Sequence, residues 1–479
     1  MKNRIFVGVI AFLSSVAAFG AGDPIREFVG LPSLRTASVG ISILDIDEMK
    51  PIAGYDEHRA YIPASIIKLV TSATAIQLLG TDHVMTTRVG YNGNVDSLGV
   101  LHGDLIVSGT GDPSLASEFS SRLPTAFVDS VAACIVRAGI RRIEGRIIAD
   151  GSCFDHRHVS PCWMWEDLSW DYGSGCYGVN YKDNCIRLSV HTDQPGSPAR
   201  IDKIEPVYPG LSFSNRIQAG EKNTVMAFSA PYSPRYELDG ELPANRKAYP
   251  LRCSMPDPEL LAVYEIAGKL DSLGIGCGQY TTSRLLADAG ESFPLPDVTL
   301  LNYPSDTLSN MIRSLNFRSD NLYAEALFRY LSLSDTCRAS AKRSAALVDD
   351  YWRAEGLDAD ELFMYDGCGL ARNNRISAML LARILAFAAQ QPETGDAFIR
   401  SIPLAGEEGT VSRFLRKTRL AGKIRLKSGS MSDVQTFAGY YSTAEKRYAV
   451  VVIVNNYIGK RDEIRRAIEE LLLGLLPKH

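Results

Sequence analysis

The segment Ile62-Pro63-Ala64-Ser65-Ile66-Ile67-Lys68-Leu69-Val70 constrains this chain most, because it sets a hydroxyl and an amine three residues apart at the start of an apolar helix. Residues at i and i+3 share a helix face, so the Ser65 oxygen and the Lys68 ammonium can meet across one turn. Pro63 and Ala64 mark the helix start, where free backbone N–H groups point toward incoming negative charge. Ser65 is the only serine in the sequence with a lysine three positions on. The apolar run through Leu79 is sufficient to bury the helix, and Gly80 is expected to end it.

Two further short motifs make a set with this pair. Ser319-Asp320-Asn321 opens a predicted helix, and Lys427-Ser428-Gly429, followed by Ser430, lies on a predicted strand near the C-terminus. Singly each has a plain structural explanation, a helix N-cap for either serine and a solvated charge for Lys427. In order and on these elements they describe a chemistry. A serine hydroxyl is a poor nucleophile at neutral pH and needs a base within hydrogen-bond reach. Lys68 can be that base if burial and a second cation, Lys427, depress its pKa. Ser319 can relay a proton to the leaving group, and Asn321 can orient a substrate amide. Lys427 and Ser428 offer charge and hydroxyl to a carboxylate, and the N–H groups of Ser65 and Ser430 can form an oxyanion hole.

The rest of the chain sets the context. At 479 residues it calls for two to four domains. Lys+Arg 51 against Asp+Glu 55 leaves no basic excess to suggest nucleic acid as a partner. Residues 1–20 carry Lys2 and Arg4, an apolar run and then small residues, the pattern of a cleaved secretory signal peptide; the run is short for a bilayer and interrupted by Ser14 and Ser15. No later segment is apolar enough to anchor the mature chain. Nine cysteines in an exported chain read first as disulfide partners, with at least one left over. Cys153, His156, His158 and Cys162 can be drawn as a metal site, but their spacing fits no familiar zinc pattern, and no metal or other cofactor is expected. His-Glu-x-x-His and Gly-x-Ser-x-Gly are both missing, which argues against a zinc hydrolase and an α/β-hydrolase.

Taken in order, Thr36 to Tyr55 reads as a hairpin leading to the Ser65 helix. A strand-rich stretch follows, with strands over Val100–Val107 and Ile143–Ala149, a helix around Phe127 to Val136, and an aromatic segment from Pro161 to Asn184. Leu260–Leu273 reads as a helix. Beyond Pro294 helices dominate: Leu308–Leu315, Asn321–Ser332, Ala339–Glu355 and Ser377–Ala388. Ile424–Lys427, Thr436–Ser442 and Tyr448–Asn455 read as three antiparallel neighbours before a final amphipathic helix, Glu463–Leu475.

With these motifs the sequence resembles the class C low-molecular-mass penicillin-binding proteins, serine D-alanyl-D-alanine carboxypeptidases that are often endopeptidases too. The resemblance extends to Gly103-Asp104-Leu105 through Gly109-Thr110-Gly111-Asp112-Pro113, to Trp163-Met164-Trp165-Glu166-Asp167-Leu168, to Asp366-Gly367-Cys368-Gly369-Leu370 with Asn374-Arg375, and to Gly406 through Gly409-Thr410. Ser428 stands where threonine is usual, and Cys368 where serine is usual, which offers a thiol near the catalytic domain. More than half the chain separates Ser65 from Ser319, and the family carries two extra domains in that gap.

The resemblance implies an α+β fold: a β-lactamase/transpeptidase-like catalytic domain, an antiparallel sheet flanked by helices, with a large strand-rich insertion. The expected division is a discontinuous catalytic domain over 21–87 and 296–479, insert domain II over 88–160 and 255–295, and insert domain III over 161–254. The implied activity is periplasmic removal of terminal D-Ala from peptidoglycan stem peptides, or cutting of their cross-links, through an acyl-enzyme on Ser65 that β-lactam antibiotics would also form. Asp167 is implied as the partner of a free amino group on the third stem residue. A β-lactamase or related serine esterase, and a non-catalytic β-lactam-sensing or wall-binding module, are the alternatives; oligomeric state is not legible.

Overall fold

The computed structural model describes residues 22–334 and 336–478, so the expected signal peptide lies outside the described residues. After a short helix, Pro24–Val29, comes a hairpin of β1 (Ser38–Asp45) and β2 (Lys50–Tyr55), and the chain then enters helix α1 (Lys68–Leu79). Next come β3 (Thr86–Tyr91), β4 (Leu105–Ser108), α2 (Ala126–Arg137) and β5 (Arg142–Asp150). After the aromatic segment run β6 (Cys185–Thr192), β7 (Arg200–Glu205), β8 (Arg246–Ser254), α3 (Pro258–Ser272), β9 (Gly276–Thr282) and β10 (Val298–Pro304). Helices α4 (Leu308–Arg318), α5 (Asn321–Tyr330), α6 (Ala341–Ala354) and α7 (Ala378–Gln390) follow. Three strands, β11 (Ile424–Met431), β12 (Val434–Ser442) and β13 (Arg447–Asn455), precede α8 (Arg461–Leu475). The architecture is α+β.

One five-stranded antiparallel sheet, ordered β2-β1-β13-β12-β11, joins the two ends of the chain. Successive residues of a strand face opposite sides, and β13 is apolar on both. Ala449, Val451 and Ile453 pack with α1 and α7 in one core. Val450, Val452 and Val454 pack with Ile464 and Ile468 of α8 in another. A strand buried on both faces by helices cannot slip in register without exposing one set, and β11 forms the edge of the sheet.

The long middle of the chain folds away from this sheet. β3 pairs with β10 and β4, and β5 pairs in parallel with β4 and β9, so the chain leaves and returns through adjacent strands. A separate three-stranded sheet is ordered β7-β6-β8. Both share one apolar cluster, from Val89 and Ile147 to Leu188 and Leu251.

Three expectations change in detail. The strand expected over Val100–Val107 is two, Val100–His102 and Leu105–Ser108. The break arises because Asp104 turns aside to Asn92, accepting its N–H at 3.1 Å and donating its own to Asn92 Oδ1 at 2.6 Å. The helices expected over Asn321–Ser332 and Ala339–Glu355 are each shorter, ending at Tyr330 and starting at Ala341, where Ser340 caps the second. All nine cysteines are free, against the disulfide reading. Several sit in interiors that a small apolar side chain fills, Cys134 on α2 and Cys253 on β8 among them.

Candidate active site

Ser65 lies in a 3-10 turn, Ala64–Ile67, that runs directly into α1 at Lys68. The sequence reading placed the pair on an α-helical turn. A 3-10 turn has three residues per turn, so i and i+3 eclipse rather than merely share a face. Ser65 Oγ and Lys68 Nζ are consequently 3.0 Å apart. The turn is held from the sheet: Thr436 Oγ1 donates to Pro63 O at 2.8 Å, and the Asn455 amide brackets Ile62 through its N–H at 2.8 Å and its carbonyl at 3.0 Å.

Lys68 is fully buried. It donates to Asn321 Oδ1 at 2.7 Å and to the main-chain carbonyl of Cys368. Both of those atoms can only accept. A free amine has two hydrogens and one lone pair, so with both hydrogens committed the lone pair faces the Ser65 hydroxyl. Burial pushes the Lys68 pKa down, while the neighbouring acids Asp366, Asp320 and Glu325 pull the other way.

Ser319 occupies a left-handed joint at φ 60° between α4 and α5. Asp320, not Ser319, caps α5, accepting the Tyr323 N–H at 3.1 Å. The Ser319 hydroxyl is left to accept from Lys427 Nζ at 2.7 Å. Lys427 is also fully buried and donates to the Ser428 carbonyl at 2.6 Å. Burial and the charge of Lys68 hold its pKa well below the ordinary lysine value. The repulsion between the two ammonium groups acts on both, and on Lys68 the buried acids oppose it.

Gly429 explains how the edge strand reaches Ser65. A Cβ there would lie 2.8 Å from Ser65 N and 2.9 Å from Pro63 O, so only glycine lets β11 close onto the turn. Ser428 Oγ is 3.0 Å from Thr410 Oγ1.

Ser65, Ser319, Asn321, Ser428 and Ser430 all line one cleft of about 620 Å³. Asp167, on a 3-10 turn of the aromatic segment, lines it too. Burial raises the Asp167 pKa, against the Tyr172 hydroxyl that donates to it at 3.1 Å. Tyr172 also reaches the catalytic half, its carbonyl accepting from Asn321 Nδ2 at 2.7 Å. Trp163 anchors this segment: its indole is buried in the catalytic core and donates to Asp366 Oδ2 at 2.8 Å.

Below Lys68, ligand atoms of Glu325, Asp366 and Cys368 lie within 4.8 Å of one another. These are ligand types, but the carboxylates are already spent on donors. Glu325 Oε1 accepts the N–H groups of Gly367 and Cys368 at 2.7 and 2.9 Å. Asp366 accepts from Gly369 N at 2.7 Å, Ala371 N at 2.5 Å and Asn374 Nδ2 at 2.6 Å. Burial pushes Glu325 up to about 7 and the Cys368 thiol well above its usual value. The group drawn from Cys153, His156, His158 and Cys162 does not converge. His158 instead stacks on Tyr177, ring centroids 4.4 Å apart.

A family model described as the D-Ala-D-Ala carboxypeptidase 3 (S13) family matches residues 24–474. The chain belongs to this family. It is 26% identical to a D-alanyl-D-alanine carboxypeptidase of Actinomadura sp. (strain R39) over 89% of this chain and 79% of that one. It is 25% identical to the D-alanyl-D-alanine carboxypeptidase DacB of Haemophilus influenzae, over 88% and 86%. The fold matches the crystal structure of penicillin binding protein 4 (dacB) from Haemophilus influenzae with a TM-score of 0.79 at 24% identity, covering 94% of this chain and 98% of that one. A second crystal structure of that protein, complexed with a β-lactam, matches with a TM-score of 0.74 at 22% identity over 94% and 98%.

Motif reasoning missed Glu325, the Cys368 carbonyl, Tyr172 and the arginines Arg372, Arg461 and Arg465 that also line the cleft. Glu325 carried a readable signal. It stands one helical turn after Asn321, on a face that must be buried for Asn321 to reach the cleft.

Proposed function

We propose that this protein is a serine D-alanyl-D-alanine carboxypeptidase and endopeptidase acting on peptidoglycan stem peptides in the periplasm. The family supports the reaction class. The observation that carries the reading in this chain is the environment of Lys68, a buried amine whose two fixed acceptors turn its lone pair toward Ser65.

In this reading Lys68 takes the Ser65 proton as Oγ adds to the carbonyl of the penultimate D-Ala. The N–H groups of Ser65 and Ser430 hold the oxyanion. The C–N bond then breaks, and the proton held by Lys68 passes to the leaving amine through Ser319, which Lys427 orients, returning Lys68 to its free amine. Water adds to the resulting ester, giving a proton to Lys68, which hands it to Ser65 Oγ as the acid leaves. Asn321 aligns the substrate amide. Lys427, Ser428 and Ser430 receive the terminal carboxylate, with Gly429 keeping the strand close, and Asp167 receives an amino group on the third stem residue. A β-lactam presents a strained amide to the same serine and forms the same ester.

Release of D-Ala from a defined stem pentapeptide tests this, run beside labelled penicillin and a Ser65→Ala variant. Wild type is expected to release D-Ala and take the label, and the variant to do neither. Rapid penicillin turnover with intact pentapeptide would assign a β-lactamase, and no label on Ser65 would assign a non-catalytic module.

A further inference from the structure

The cleft carries more charge than a carboxypeptidase reaction uses. Glu166 and Asp167 reach it from the aromatic segment, and Arg461 and Arg465 reach it from α8. Among the described residues none of these four takes part in an ion pair; the charge of Arg372, which lines the same cleft, acts on Asp167, and Arg461 and Arg465 are left without an acidic partner.

The arginines have a definite place. Arg461 begins α8 and donates through Nη2 to the Met431 carbonyl at 3.2 Å, directly after Ser430. Arg465 is one turn further on the same helix face. Its guanidinium is 5.6 Å from the centroid of Phe414 and 6.0 Å from that of Phe437, and Phe437 is the cross-strand partner of Ser428. Both therefore adjoin the part of β11 to which the preceding section assigns the leaving group's carboxylate. A guanidinium stacked on rings keeps its planar fork of donors available for a carboxylate.

Free D-Ala as a leaving group has one carboxylate, already matched by Lys427, Ser428 and Ser430. Two further unpaired cations beside them exceed that demand. A leaving group that is itself a stem peptide, released when a cross-link is cut, carries additional carboxylates beyond the one next to the scissile amide. We infer that Arg461 and Arg465 form a subsite for a second carboxylate on the amine-side half of a cross-linked peptide, and so favour cross-link cleavage over trimming. This rests on the proposed peptidase reading.

The test uses the exported full chain and an Arg461→Gln/Arg465→Gln double variant. Four substrates are compared: labelled penicillin, a stem pentapeptide, a cross-linked peptide dimer, and the same dimer with the carboxylates of its leaving half amidated except the one beside the scissile bond. The double variant is expected to lose about tenfold or more in kcat/KM on the dimer, equivalent to about 1.4 kcal/mol. It should stay within about twofold of wild type on penicillin and pentapeptide, and cut the amidated dimer as wild type does. Arg465→Lys, which keeps the charge, should retain most dimer cleavage. Equal losses on dimer and pentapeptide, or no loss on the dimer, would overturn the subsite. If wild type fails on penicillin and pentapeptide alike, the peptidase reading itself has failed instead.

Discussion

The amine of Lys68 and the main-chain carbonyl of Cys368, 300 positions apart in sequence, are hydrogen-bonded to each other in the buried floor of the cleft. The carbonyl is fixed because Glu325 holds the N–H groups of Gly367 and Cys368 on the same bend. Gly369 is required there: it adopts φ +87°, and a Cβ would meet the Ala64 carbonyl at 2.1 Å. Lys68 is thus positioned by backbone, and the side chain at 368 is a packing element.

A Cys368→Ser variant should therefore keep its penicillin acylation rate within about threefold of wild type. The hydroxyl is smaller than the thiol and can donate to Glu325, so the contact to Lys68 is untouched. A loss of tenfold or more, with an unchanged melting temperature, would show that the thiol itself acts on the base.

Glu325 sets a pH dependence. Its folded-state pKa, about 7, lies above the ordinary carboxyl value of 4.5, so folding favours the protonated form. Wild-type stability should fall as pH rises from about 4.5 to 7, and Glu325→Gln should flatten that fall. In activity, an anion beside Lys68 favours its charged form. Above about pH 7, where Glu325 is ionised, removing it makes the free amine available at lower pH, so the part of the acid limb that lies there should move to lower pH in the variant. Movement to higher pH would contradict the assignment of Lys68 as base.

How much of this was legible in the sequence depends on which force fixes each part. The Ser65–Lys68 pair, the three C-terminal strands and their neighbour helices follow from local spacing and apolar periodicity, which sequence carries directly. The joining of β1 to β13 is a long-range pairing that no local pattern specifies. The 3-10 form of the Ser65 turn comes from contacts made by Thr436 and Asn455, both far along the chain. Asp320 rather than Ser319 as the cap, and the buried acids that oppose the fall in the Lys68 pKa, depend on which groups end up buried side by side.

Gly429 allows a sharp mutational test. In Gly429→Ala the new methyl must displace Thr436 Oγ1, 2.3 Å from its ideal position, and press on Ser65 N. Those atoms frame Ser65 rather than the core. The expected result is a loss of at least about a hundredfold in acylation, some 2.7 kcal/mol of transition-state stabilisation, with the melting temperature nearly unchanged. Near-normal acylation would mean that β11 does not need to close on the turn.

Thr410 and Ser428 share a hydrogen bond at the cleft wall. If the bond aims the Ser428 hydroxyl at the substrate carboxylate, Thr410→Val and Ser428→Ala should each raise KM for the pentapeptide. The double variant should be little worse than Ser428→Ala alone, a coupling of about 0.5–3 kcal/mol in a double-mutant cycle. Strict additivity would place the two hydroxyls in separate roles.

Trp163 links the aromatic segment to the floor beneath Lys68 through a single buried contact, Nε1 to Asp366 Oδ2 at 2.8 Å. Asp366 in turn organises the bend that presents the Cys368 carbonyl, accepting the N–H groups of Gly369 and Ala371. Trp163→Phe keeps most of the apolar contact but leaves a buried carboxylate oxygen one donor short, a cost of about 1–3 kcal/mol. Thermal unfolding should register that loss. The same change frees the segment that carries Asp167 and Tyr172, whose carbonyl holds Asn321 Nδ2. Stem peptides with an amino group on the third residue should therefore suffer a larger fall in kcat/KM than penicillin, which has no such group for Asp167 to hold. An equal fall for both substrates would locate the effect of Trp163 in the base alone, through Asp366, and not in the placement of the aromatic segment.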